Sequence, residues 1–130
     1  MIDAGDAIRD HLLANTALYA LVGTRVYAER DVPPPGYQPV TDGACVCVKA
    51  RGGVPNYTDA LLEPSVQAKC YGTDETTANA VYRALYGALH NSGSGVVRWS
   101  QCEVLGQTLT ERDTGWPFVL SFHKLWIDNT

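Results

Sequence analysis

The sequence lacks any hydrophobic run long enough to cross a membrane. A membrane-spanning helix needs about 20 consecutive apolar residues, and no run in the 130 residues approaches that length. Residues 1–6 also lack the basic segment and the apolar segment of a secretory signal peptide. We therefore expect a protein that has no membrane partner and that is made and kept in the cytoplasm.

Positive charge is also scarce in this chain. Ten Lys and Arg stand against 14 Asp and Glu, which gives a formal net charge of -4 at pH 7. Proteins that grip nucleic-acid backbones cluster their cations, because each contact must neutralise a phosphate. The basic residues here are scattered singly along the sequence, so specific binding of nucleic acid is not expected.

Residues that support catalysis are few, and they form no recognisable motif. The histidines are His11, predicted near the polar face of a helix, His90, predicted at a helix C-terminus, and His123. Nucleophilic catalysis needs a nucleophile beside an oriented base, and residues 93–95 lack the Lys of a phosphate-binding loop. The sequence predicts no enzyme and no cofactor. The alternative is a small ligand-binding or hydrolytic α+β domain that uses Cys102 and His123, with a pocket and a thiol of depressed pKa.

Four cysteines are present, namely Cys45, Cys47, Cys70 and Cys102. A chain that is 45% hydrophobic can bury a core without disulfides, so buried free thiols are expected. Cys45 and Cys47 lie two apart on a predicted strand, which places both side chains on one face. Cys70 and Cys102 could join them in a four-thiolate zinc site, but the paired CxxC spacing of structural zinc sites is missing. No metal is predicted.

The first helix is predicted from apolar residues that recur with a 3.6-residue period near the N-terminus. Asp3 is its predicted N-cap, and the helix is expected to stop near Asn15. Thr16 is then expected to cap a short helical turn that Gly23 closes.

The clearest helical period follows Gly72, where Thr73 or Asp74 can cap a helix that reaches His90. Residues 91–95 end this helix as a connector.

Strands are expected where β-branched and alternating residues lie between turn residues, at positions 44–50, 65–71, 96–105 and 118–127. In the second of these, Cys70 faces the core with two other apolar residues, and Tyr71 faces solvent. Residues 29–43 are Pro-rich and predict a long exposed loop. Residues 51–64 predict either a loop or the ends of a strand pair. The whole, 1–130, is predicted as one α+β domain with a mostly antiparallel sheet and two helices packed on one face.

Three segments carry a resemblance to a known family. Residues 8–15 form an amphipathic helix, residues 16–22 are rich in Ala, Leu and Val, and Gly23 then precedes Arg25-Val26-Tyr27. Residues 71–89 combine an aromatic strand end with a capped, Ala-rich helix, and residues 111–118 join a charged loop to an aromatic strand start. Together these segments resemble the bacteriophage tail terminator, or tail-completion, proteins of the lambda type over nearly the whole chain. The Pro-rich loop and the Cys45/Cys47 pair depart from that pattern.

The resemblance implies a structural protein of a phage or prophage virion. Such a protein forms a hexameric ring with other copies of itself, caps the tail tube, ends tube polymerisation and provides the surface for head-tail joining. The implied partners are the major tail tube protein and the head-tail connector proteins, and DNA passes through the ring lumen without specific binding. The implied location is the head-proximal end of the tail, after assembly in the host cytoplasm. The alternative within this class is a head-completion protein or another neck or minor tail protein.

Contact with these partners is expected from two long loops, residues 25–39 and 106–116, since exposed loops of this length usually carry function. The predicted interface residues are Arg25, Arg30, Tyr37, Tyr57, Arg112 and Trp116. Aromatic side chains dominate interface energetics, so Tyr37 and Trp116 are the predicted anchors. The alternative for Trp116 is packing on its own domain.

Overall fold

The structure, a computed structural model, describes residues 3–55 and 61–128. Within them the chain forms four helices and a six-stranded, mostly antiparallel sheet, which confirms the predicted α+β class. The helices are α1 (Ala4–Leu13), α2 (Thr16–Val22), α3 (Pro39–Asp42) and α4 (Glu75–Leu89). The strands are β1 (Val26–Ala28), β2 (Cys45–Pro55), β3 (Leu61–Tyr71), β4 (Ser92–Ser94), β5 (Val97–Thr110) and β6 (Pro117–Asp128).

The sheet has the strand order β1-β2-β3-β6-β5-β4. Only β1 and β2 pair in parallel among these strands, and the remaining pairs are antiparallel. Helices α1, α2 and α4 pack on one face and enclose the larger hydrophobic cluster with the sheet. We call the opposite side of the sheet the outer face. No helix in the described ranges is long and apolar enough to cross a membrane.

The helix starts follow the capping residues closely. Asp3, Asn15 and Asp74 each accept a hydrogen bond from the backbone N–H three residues later, at 3.1, 2.9 and 2.7 Å. The predicted cap at Thr16 is wrong, because Asn15 has the extended backbone of an N-cap and Thr16 is already helical. Of the two candidate caps for α4, Asp74 serves.

The cysteines divide between the two faces of the sheet. Cys70 is the cross-strand partner of Val46 and packs in the cluster under the helices. Cys45 and Cys47 share one face, as predicted. That face is the outer face, opposite to the one that carries Cys70, and both thiols lie there in a smaller, mostly aromatic cluster. Four thiols in this arrangement cannot surround one zinc ion. No group of three or more His, Cys, Asp and Glu within the described ranges is placed to hold a metal.

His11 does not lie on the polar face of α1. It is 7% exposed, its Nε2 donates to the Ala88 carbonyl at 2.7 Å, and its Nδ1 lies 2.6 Å from the Ser94 hydroxyl. The last carbonyls of a helix have no partner within it, so α1 supplies one to the end of α4. This packing between distant segments overrides the local charge pattern that placed His11 outside.

Strand pairing extends further than the sequence predicted. Residues 51–55 and 61–64, the described part of the segment 51–64, are the ends of a strand pair, since β2 reaches Pro55 and β3 begins at Leu61. Residues 92–94, predicted as a connector, form β4 and pair with β5. Strand β5 continues to Thr110, so the loop before β6 is shorter than expected. In each case a neighbouring strand satisfies backbone groups that composition alone assigned to loops.

Candidate assembly site at two joined loops

Two loops meet at one end of the outer face. Tyr37, from residues 29–43, and Trp116, from residues 111–116, lie edge to face with their ring centroids 5.7 Å apart. Trp116 also stands edge-on to Tyr71 at 6.5 Å, and Tyr71 packs on Phe118 at 5.2 Å. We call these four rings the aromatic cluster. Edge-to-face pairs at such distances are favourable beyond the area that they bury.

The Pro-rich loop is folded around the Tyr37 side chain, which is 5% exposed. The Tyr37 N–H donates to the Pro34 carbonyl at 3.1 Å, and its hydroxyl donates to the Gly43 carbonyl. The intervening turn needs a positive φ, which Gly36 supplies at 86°. Burial raises the pKa of Tyr37 well above its usual value, so the hydroxyl stays a donor at neutral pH. The composition of this loop predicts that it is exposed, but the hydrogen bonds of its own buried tyrosine hold it in one conformation.

The second loop closes on itself before β6 begins. The Glu111 N–H donates to the Trp116 carbonyl at 2.8 Å, and the Gly115 N–H donates to the Glu111 carbonyl at 2.9 Å. The Glu111 carboxylate accepts from the Tyr71 hydroxyl at 2.8 Å. Burial, with this carboxylate as a second cause, raises the pKa of Tyr71. Tyr71 lies on the outer face as predicted, but it is fully buried and not solvated, because both loops fold over this end of the sheet.

A groove of about 270 Å³ runs between the two loops. One wall is the Pro-rich segment from Val32, which is 44% exposed, to Tyr37, and the other is formed by Glu111, Asp113, Thr114 and Trp116. Apolar and acidic groups therefore face solvent together. Such a mixed surface suits contact with another protein better than contact with phosphate.

Two buried thiols lie beneath the aromatic cluster. Cys45 and Cys47 are at most 1% exposed. The neighbouring Cys47 thiol lowers the pKa of Cys45, while the Cys45 thiol and burial raise the pKa of Cys47. Because no surface reaches either sulfur, we assign both to packing under Tyr37.

Cys102 and His123 are direct cross-strand partners between β5 and β6. Burial lowers the pKa of His123 to about 4 and raises the pKa of Cys102. The Cys102 thiol donates to the Val104 carbonyl at 3.4 Å, and His123 Nε2 lies 2.9 Å from the Ser121 hydroxyl. Both groups are neutral at pH 7. The alternative that uses Cys102 and His123 needs a thiol of depressed pKa, because a nucleophilic cysteine must form a thiolate. The raised pKa of Cys102 does not support it.

The predicted interface residues occupy different environments. Tyr37 and Trp116 are brought together, and exposed Arg112 lies on the same loop as Trp116. Arg25 and Arg30 are half-buried, with their Nε atoms donating to the carbonyls of Ala44 at 2.8 Å and Val32 at 3.2 Å. Tyr57 lies outside the described residues. The contact role of all six residues stays a prediction.

Sequence reasoning missed a basic surface. Four cations that are scattered in sequence gather on the outer face: Lys49, Arg51, Lys69 and Lys124. Three of them lie over aromatic rings, with Arg51 4.0 Å from the Phe122 centroid, Lys69 5.1 Å from Phe118 and Lys124 5.4 Å from Trp126. The available signal was their placement at alternate positions in the strands, which puts them on one face.

No protein-family model matches the chain, and no curated protein matches it in sequence. Among solved structures, it is similar to a chain of a particle described as the virion of the native gene transfer agent (GTA). The TM-score is 0.70 and the identity is 20%, over 96% of this chain and 94% of that chain. The similarity shows a shared fold over nearly the whole of both chains.

Proposed function

We propose that this protein is a structural component of a phage-like virion, and that it acts there as a tail terminator. In this role, copies of the chain form a hexameric ring that caps the tail tube, ends its polymerisation and offers a surface to the head-tail connector. The observation that carries the proposal is the shared fold with a chain of the gene transfer agent virion over 96% of this chain. The sequence resemblance to tail terminators supplies the finer role.

The mechanism proposed is contact geometry without chemistry. The two loops joined by the aromatic cluster are the proposed contact surface toward the tube or a neighbouring subunit. Tyr37 and Glu111 fix these loops through hydrogen bonds within the chain. A contact surface that is ordered before binding loses less conformational entropy on association. Arg112 and the exposed part of Trp116 would then meet the partner, while Tyr37 positions the loop that carries Arg30.

The proposal also fits a lumen through which DNA moves. A ring that held DNA by neutralising its phosphates would oppose passage. The net charge of -4 supports a lumen that does not hold DNA. We therefore expect the cationic outer face to lie away from the lumen and to contact another protein.

Capping of tail tubes tests the proposal. Tubes are polymerised from the tail-tube protein of the same phage or prophage, the purified protein is added, and tube lengths and tube tips are scored by negative-stain microscopy. We expect density on one end of each tube and an arrest of further growth. Binding to isolated connectors with no effect on tubes would instead identify a head-completion or other neck protein.

A variant pair makes this assay specific for the loops. Arg112→Glu reverses an exposed charge on the proposed contact loop, and Arg83→Glu makes the same change on the exposed surface of α4. Capping is expected to weaken with the first change and to persist with the second. Equal capping by both variants would remove residues 111–116 from the contact.

A further inference from the structure

The outer face carries an exposed apolar groove away from the two loops. The groove has a volume of about 570 Å³ and is lined by Leu61, Arg98, Trp99, Trp126 and Asp128. Trp99 is 45% exposed and is the cross-strand partner of Trp126. An exposed apolar surface with a polar rim is typical of a protein interaction site, and tryptophan is enriched among the residues that dominate binding.

The charge of the outer face is positive, against the sign of the whole chain. The four cations of the outer face and Arg98 at the groove are accompanied by three carboxylates: Asp31 at 3.2 Å from Lys49, Glu63 at 3.5 Å from Lys124 and Asp128 at 3.4 Å from Arg98. The face therefore keeps a positive balance in a chain of net charge -4. A partner surface that complements it must be acidic and must also offer apolar side chains.

The opposite side of the same chain has those properties. On α1, Asp6 and Asp10 are exposed one helical turn apart. On the adjoining α2, Tyr19 is 48% exposed. We call these three residues the helical surface. It lies on the side of the sheet that the helices cover, so it and the outer face point in different directions.

We propose that the outer face of one copy docks on the helical surface of the next copy. Asp6 and Asp10 would face the cations of the outer face, and Tyr19 would pack at the groove of Trp99. Because two different surfaces meet, the contact is heterologous, and head-to-tail repetition closes into a ring when the rotation per subunit permits it. This inference rests on the proposed function, which needs a ring, and it names the surfaces that build the ring.

Charge reversal with complementation tests the contact. The variant Lys69→Glu/Lys124→Glu has two acidic surfaces, and the variant Asp6→Lys/Asp10→Lys has two basic surfaces. Each is expected to self-associate at least about tenfold more weakly than the native chain, because like charges then meet at every junction. An equimolar mixture is expected to recover assembly, since every junction of an alternating ring again pairs opposite charges. Light scattering and sedimentation at low ionic strength measure both effects.

Controls separate this contact from misfolding and from general charge effects. Arg83→Glu changes the charge on α4 outside both surfaces and should assemble like the native chain. Thermal unfolding is measured for every variant. The neutral changes Trp99→Ala and Tyr19→Ala, at exposed positions, provide a second route, and each is expected to weaken association about tenfold.

Three outcomes would overturn the docking proposal: a native chain that stays monomeric at low ionic strength, reversed variants that assemble like the native chain, or a mixture that fails to recover. The tube assay is independent of these results. If the charge-reversed variants cap tubes and associate like the native chain, only the proposed docking surfaces are refuted. Assembly that follows the charges, without any effect on tubes, refutes the terminator function alone.

Discussion

The indole of Trp116 lies edge to face with the Tyr37 ring at 5.7 Å, and this pair joins two loops that are far apart in sequence. Each loop also has its own internal hydrogen bonds, which end at Gly43 in one and at Glu111 in the other. The contact therefore fixes the position of one ordered loop against another. The proposed assembly surface depends on this relationship.

Replacement of Trp116 by alanine should destabilise the isolated chain. Trp116 is half-buried and contacts both Tyr37 and Tyr71, so its loss should cost about 2 kcal/mol, less than for a fully buried tryptophan. Urea unfolding of the monomer measures the change. Trp99→Ala is the matched control, since Trp99 is 45% exposed and its removal should cost clearly less. Equal costs would mean that Trp116 does not join the loops.

Local signals predicted much of the fold. Asp3 and Asp74 lie where a cap was expected, because an N-cap needs only its own helix. The alternation of residues 65–71 placed Cys70 correctly toward the helices. It also placed Tyr71 on the outer face, yet the prediction of a solvated Tyr71 was wrong. Loops that come from distant sequence positions and cover a strand cannot be predicted from the two-residue alternation within that strand.

The candidate site was less accessible to sequence reasoning for the same reason. Trp116 and Tyr37 were singled out as aromatic residues on long loops, but their mutual contact depends on tertiary structure. The outer cations went unnoticed because Lys124 joins Lys69 only when β6 pairs with β3. A helix and two other strands separate those two strands in sequence.

The stability of the fold should fall as the pH drops below neutral, because of His123. This side chain is fully buried, and burial lowers its pKa from 6.5 to about 4. The folded state thus binds fewer protons than the unfolded state between these values, and acid favours unfolding. This single group should cost about 2 kcal/mol between pH 7 and pH 5, with the loss complete only below pH 4. Urea unfolding at a series of pH values measures the slope.

A variant without the titrating group isolates that effect. His123→Gln keeps a hydrogen-bonding side chain for Ser121 and should flatten the stability curve between pH 7 and pH 5, whatever its stability at pH 7. His11→Gln serves as the comparison, since His11 is a second buried histidine and is bonded to the Ala88 carbonyl. A slope that survives in His123→Gln would assign the pH dependence to other groups.

Thiol labelling of the folded protein should be slow and should reach Cys102 first. Cys45, Cys47 and Cys70 are buried, whereas Cys102 is partly exposed. Burial raises the Cys102 pKa, so its reactive thiolate is scarcer at pH 7.5 than in a free thiol. Timed alkylation followed by mass spectrometry of peptides gives the order and the rates, with a Cys102→Ser variant to assign the first site. Rapid, stoichiometric labelling of Cys102 would contradict the neutral Cys102/His123 pair.

The glycine pair at the bulge of β2 separates backbone strain from steric collision. Gly52 and Gly53 both have positive φ, 100° and 125°, so alanine at either position should cost about 1 kcal/mol or more through strain. A Cβ at Gly52 would meet no heavy atom within 4 Å, but at Gly53 it would lie 2.3 Å from the Glu63 carbonyl oxygen. Gly53→Ala should therefore cost at least about 1 kcal/mol more than Gly52→Ala. Unfolding of the two variants side by side measures the difference. Equal costs would mean that β2 and β3 lie further apart at Gly53, beside the register shift between Ala50 and Gly53, than the structure shows.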